Sequence, residues 1–162
     1  MFRWRNERRA NDKKRARAKT VDRSAAEDGE CRMELEGFEP VGTRGFYRPS
    51  GRVSVDLLAD LMTAAIRYAR AQDLRDVVVN ITATSGFESP SADFRHRLVK
   101  RWAATAAGLM RVVVVARKEH IHPHKIGLIV AAEEGLQAHI CEDESEAIAW
   151  LEAAAAGGPA SP

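Results

Sequence analysis

VVVNITATSGFESPS, residues Val77–Ser91, is the stretch on which the fold turns. Val77–Ile81 is a near-continuous β-branched run, the mark of a central strand buried on both faces. It stops in a polar turn holding Thr82, Thr84, Ser85 and Gly86. Ser89 then reads as a helix N-cap, with Pro90 at the first helical position and Gly86 supplying a positive φ. The helix it opens is expected to run to about Ala106. Phe94, Leu98, Trp102 and Ala106 fall on one face at i+4 spacing, with Val99 beside them. A buried strand feeding directly into an amphipathic helix is the repeating unit of α/β folds.

The flanking sequence extends that pattern in both directions. Ser54 is a good N-cap, and Leu57, Leu58, Leu61, Ala65, Ile66 and Ala69 recur at helical spacing to about Gln72. Upstream, Met33, Leu35 and Phe38 suggest an edge strand over residues 32–38. A second short strand around Phe46–Tyr47, closed by Pro49-Ser50-Gly51, would complete a hairpin. Downstream, Arg111–Ala116 is another buried strand. Pro123 is expected at the first position of a helix spanning Ile126–Glu134 and stopped by Gly135. Residues 137–141 form a last strand. Asp143 and Glu146 make a capping box for a final helix through Leu151. The predicted order is β-β-α-β-α-β-α-β-α, an α/β fold on a mixed sheet of about five strands.

The 162 residues suit one domain with tails, 45% hydrophobic and 30% charged as in soluble globular chains. The longest apolar runs, such as Ile126–Ala132, are far too short to span a bilayer. With no apolar run near the N-terminus, no secretory signal is expected, and the cytoplasm is the expected location. Cys31 and Cys141 lack metal-type spacing and read as free thiols. The net charge of +2 hides an asymmetry. Residues 1–24 hold ten Lys/Arg and three Asp/Glu, leaving fifteen basic and twenty acidic residues for the rest. We expect a basic, disordered arm and linker at 1–29, a domain at 30–154 and a frayed tail at 155–162.

The chemistry-bearing motifs are sparse. No GxxxxGK[ST], GxGxxG or GxSxG pattern occurs, which removes phosphate-cradle NTPases, dinucleotide enzymes and α/β-hydrolases. No nucleophilic triad or carboxylate pair emerges, so neither an enzyme nor a cofactor is expected. Four features remain. The loop Thr82, Thr84, Ser85, Gly86, Ser89 and Ser91 lies where α/β folds place ligands, and Arg95 lies one turn inside the helix, within reach of an anion. His120, His122 and His124 resemble a metal tract, but Pro123 interrupts it and no partner cluster is evident. Asp93 and Arg97 are spaced to pair along a solvated helix face shared by Lys100 and Arg101. Arg3, Arg5, Arg8, Arg9, Lys13, Lys14, Arg15, Arg17 and Lys19 of the arm would attract nucleic acid, an anionic membrane surface or an acidic protein.

Taken together, several stretches resemble the STAS-like superfamily, the fold of bacterial anti-sigma factor antagonists, and within it small bacterial proteins of uncharacterised role. They are Gly51-Arg-Val-Ser-Val-Asp56, Asp76-Val-Val-Val-Asn-Ile-Thr-Ala-Thr-Ser-Gly-Phe87, Arg101-Trp-Ala103 and Glu142-Asp-Glu-Ser-Glu-Ala-Ile-Ala-Trp-Leu151. The resemblance covers roughly residues 32–152. It implies helices packed mainly on one face of the sheet and a non-enzymatic regulatory domain that binds a protein partner, such as a kinase or another regulator. In the antagonists a Ser just before a Gly, in an Asp-Ser-Ser-Gly-like loop, is phosphorylated. Ser85 before Gly86 matches that position and Thr84 the one before it. Ala83 stands in place of the Asp, and the helix begins later.

Overall fold

The computed structural model describes residues 35–157. The basic arm, Cys31, the start of the expected first strand and residues 158–162 lie outside the described residues. The first two strands are β1 (Phe38–Val41) and β2 (Arg44–Tyr47), an antiparallel hairpin. Gly42 opens its two-residue turn at φ +60°, a conformation that matches the twist of the paired strands and favours glycine. β1 begins at Phe38 rather than near Arg32. The Phe38 amide donates to the Leu35 carbonyl at 3.0 Å, so Leu35–Gly37 forms a turn.

The remaining elements are β3 (Gly51–Arg52), α1 (Val55–Ala71), β4 (Asp76–Asn80), β5 (Thr84–Ser85), α2 (Ala92–Ala106), β6 (Arg111–Val115), α3 (Ile126–Glu133), β7 (Ala138–Cys141) and α4 (Glu144–Ala155). The five-stranded sheet has the order β1-β2-β4-β6-β7, with β2, β4, β6 and β7 parallel. The expected α/β architecture, with its mixed five-stranded sheet and four helices, is present. Beside this sheet, β3 and β5 pair in parallel as a separate two-stranded ribbon.

Side-chain alternation on the central strands builds two apolar layers. Val77, Val79, Val112 and Val114 pack with α1, α2 and α3, through Leu58, Met62, Ile66, Trp102 and Val130 among others. Val78, Val113 and Val115 face the other way, with Phe46 and Cys141, under Ala147 and Leu151 of α4. Each fully buried valine contributes about 1.5–3 kcal/mol relative to an exposed one. Cys141 is a free, buried thiol, and burial is the main reason its pKa is pushed up to about 11. Leu57, placed on the buried helix face by spacing, is instead 49% exposed.

The helix ends follow from local chemistry. The Ser54 hydroxyl accepts from the Leu57 amide at 3.1 Å, and Asp143 accepts from the Glu146 amide at 2.9 Å, as expected. Three boundaries differ. Ser91, not Ser89, caps α2, accepting from the Phe94 amide at 3.2 Å. Pro123 lies in a turn closed by the Lys125 amide on the His122 carbonyl at 2.8 Å, and α3 starts only after Lys125. The last helix continues past Leu151 to Ala155.

A buried carboxylate fixes strand register at the amino edge of the sheet. Asp76 is 1% exposed and stands in register between Arg44 and Arg111 on the neighbouring strands. Arg111 Nε donates at 2.6 Å and Arg44 Nε at 3.3 Å to its two oxygens. Removing the carboxylate would leave two partly buried cations facing each other. Asp76→Ala is therefore expected to cost about 3 kcal/mol in urea unfolding. A loss below about 1 kcal/mol would show that solvent already screens the triad.

Candidate functional site

The parallel strands all deliver their chain to one edge of the sheet. There the exits of β4 and β6 lie side by side, because Asn80 and Val115 are register partners. The β4 exit is the hydroxyl loop, and its polar groups are largely spoken for. Asn80 Oδ1 accepts from the Thr82 amide at 3.0 Å and the Thr82 hydroxyl at 2.6 Å. Asn80 Nδ2 donates to Glu144 at 2.8 Å, and Arg48 grips the same carboxylate at 2.7 and 2.9 Å. The Arg48 guanidinium, with help from Asn80, holds the Glu144 carboxyl below its usual range despite partial burial.

Each remaining hydroxyl has a definite fate. Thr84 is 1% exposed; its hydroxyl donates to the Ile81 carbonyl at 2.6 Å and its own carbonyl accepts from Arg117 at 2.8 Å. A buried, bonded hydroxyl is closed to a kinase, so Thr84 is a structural residue. Ser89 accepts from Arg95 at 2.8 Å, and Ser91 is the helix cap. Ser85 differs: it is exposed, and its hydroxyl has no hydrogen-bond partner among the described residues.

Backbone pairing presents Ser85 firmly. Its carbonyl accepts from the Val53 amide at 2.8 Å, and its register partner on β3 is Arg52. Gly86 follows at φ +92°. A Cβ there would lie 2.5 Å from Arg52 Cγ, so glycine lets the Arg52 side chain cross the turn beside Ser85. The cation expected to serve the loop from α2 does so at the loop's far end, away from Ser85. Arg95 donates to the Pro90 carbonyl at 3.0 Å, to Ser89, and to the His120 carbonyl at 2.9 Å. Arg52 was missed in the sequence because nothing local signals a two-residue pairing across thirty-odd positions.

The histidine tract disperses. His120 is buried and stacks on Phe87 with ring centroids 4.6 Å apart. His122 and His124 lie beside each other in the following turn, where His122 Nδ1 accepts from the His124 amide at 3.1 Å. Among the described residues no three His, Cys, Asp or Glu side chains converge as a metal site would require. On α2, Lys100 and Arg101 are not merely solvated. Lys100 pairs with Glu134 at 3.3 Å, and Arg101 reaches Asp60 at 2.8 Å and the Thr63 hydroxyl on α1. The Asp93–Arg97 pair does not form among the described ion pairs.

No protein-family model matches this chain, and neither a curated protein nor a solved structure matches it significantly. The site must be read from its own chemistry.

That chemistry has a pH signature. His120 is held below the ordinary imidazole range first by burial, then by Arg117 and Arg95, against an opposing pull from Glu119. His139, stacked on Trp150 and 3.7 Å from Glu146, is also lowered by burial, which with Lys125 outweighs Glu146. Both imidazoles regain their ordinary affinity on unfolding, so the unfolded chain binds more protons below about pH 6.5. Stability is full above that value and declines as pH falls through it. Thermal melts should show a falling Tm from pH 7 towards 5.5, with a smaller fall in His139→Phe. A flat Tm in the parent would contradict the burial of both rings.

Proposed function

We propose that this chain is a STAS-like regulatory domain that works without catalysis, in the cytoplasm, by binding a protein partner through the Thr82–Ser91 loop and the start of α2. The carrying observation is that Ser85 is exposed and without a hydrogen-bond partner in a loop whose other hydroxyls are engaged. The architecture supports the same reading. An antiparallel hairpin leads into parallel strands, with three helices on one face and a single helix on the other. Among the described residues no helix is long and apolar enough to cross a membrane.

In this reading a kinase phosphorylates Ser85. A phosphate there adds about −1.5 to −2 charges beside Arg52, whose side chain already crosses the adjoining turn. The new ion pair recasts the docking surface while the sheet stays as it is. Ser85→Asp is expected to change the set of proteins captured from native lysate, with Ser85→Ala behaving as the parent. Both variants should melt within about 2 °C of the parent, as exposed substitutions do. Identical capture by all three proteins would defeat the proposal.

The charge of residues 1–24 favours a second activity carried by the arm, the binding of nucleic acid or an anionic membrane surface. The full chain should then bind duplex DNA or acidic vesicles with an affinity falling steeply with salt, and a chain lacking residues 1–24 should not. Equal binding by the truncated chain would assign the contact to the folded domain.

A further inference from the structure

Between the three-helix layer and the sheet lies a cavity of about 110 Å³. Its wall is mostly apolar, with Met62, Trp102 and Leu128 from the helices and Val114 from the sheet. A dry apolar cavity of roughly 150 Å³ admits benzene, so this smaller one takes a short alkyl chain or part of a ring, with the rest at its mouth.

Two features separate it from a simple packing void. The first is His120. It stands in the cavity wall, 8% exposed, and its buried Nδ1 has no hydrogen-bond partner. A buried polar atom without a partner is costly, and an oxygen-bearing ligand at the cavity wall would relieve it once the ring shifts to present Nδ1. The ring stacks on Phe87, and the backbone carbonyl of His120 is gripped by Arg95. The second is charge. The ionisable side chains of the wall are Arg95, Lys125, His120 and His122, with no carboxylate among them; His139 meets the cavity from its strand, and its ring stacks on Trp150 of α4. Lys125 precedes the first turn of α3, a helix start that no side chain caps and that holds no acidic residue. Amides at an uncapped helix start favour a negative group.

We propose that this cavity binds a small carboxylic acid with an apolar body, the body against Met62 and Trp102 and the carboxylate at the mouth near His120 and Lys125. This activity is independent of Ser85 and of partner docking. The ligand is bound and not transformed.

The test is an amide NMR titration of the full chain with benzoate and with hexanoate, using toluene and benzylamine as the uncharged and cationic counterparts. Saturable shifts are expected at Ala116, Gly127 and Leu128 for the two acids, with a Kd of about 1 mM or tighter, as fragments of this size reach. Benzylamine should not bind. His120→Phe keeps the stacking on Phe87 but removes Nδ1. It should weaken benzoate roughly tenfold and leave toluene unchanged. Lys125→Gln, at an exposed position, should weaken benzoate as well and serves if His120→Phe does not fold. No saturable shift with either acid would overturn the proposal. So would toluene or benzylamine binding as well as benzoate, or benzoate binding unchanged in the folded variants. A Ser85→Ala chain should titrate like the parent, so failure here and failure of partner switching are read separately.

Discussion

The structure depends on a demand made by its two central strands. Val77–Val79 and Val112–Val114 are apolar on both faces, so neither face can be left to water. Parallel neighbours cannot be joined by tight turns; each crossover needs a dozen or more residues, and here each is a helix. One consequence is geometric. Every parallel strand leaves the sheet at the same edge, so the loops after β4 and β6 must share space there. The Arg117–Thr84 contact is the direct result, as one loop donates to the backbone of the other.

The two faces are covered unequally, and charge makes up the difference. Three helices bury one side. On the other, α4 works alone, with Ala147 and Leu151 as its buried residues. Its position is set by polar ties at both ends. At the start, Glu144 is held by Arg48 and Asn80. Near the end, Arg111 donates to the Leu151 carbonyl at 3.3 Å and Arg44 lies 3.8 Å from Glu152. The same two arginines flank Asp76, so strand register and helix position share one set of charges. Arg48 also lies over the Phe46 ring at 5.1 Å, extending the cover beside the start of α4.

The readable parts of this fold are those whose signal is local and repeated. The valine strands, the α1 stripe and the caps at Ser54 and Asp143 each announce themselves within a few residues. The errors have a common source in tertiary context. Ser89 and Ser91 both suit a cap in sequence; Ser91 caps the helix, and Ser89 accepts from Arg95 instead. Pro123 fits a helix start, but the chain first had to turn through His122–Lys125. Leu57 satisfies the helical period yet sits past the edge of the packed face. The β3–β5 ribbon joins two pairs of residues too short to show any period, and so the closeness of Arg52 to Ser85 left no trace in the sequence.

The same bookkeeping separates the hydroxyls of the loop. Thr84 and Ser85 are neighbours of similar chemistry and would be interchangeable on a motif. A β conformation turns one inward and the other outward, and the inward one must find an acceptor, which Ile81 supplies. The outward one is left to solvent. Arg95 extends this logic beyond the loop. Its guanidinium ties Ser89 and Pro90, from the exit of β4, to the His120 carbonyl, from the exit of β6. Phe87 stacks on His120 across the same gap. Phe87 and Pro90 thus belong both to the loop and to the cavity wall.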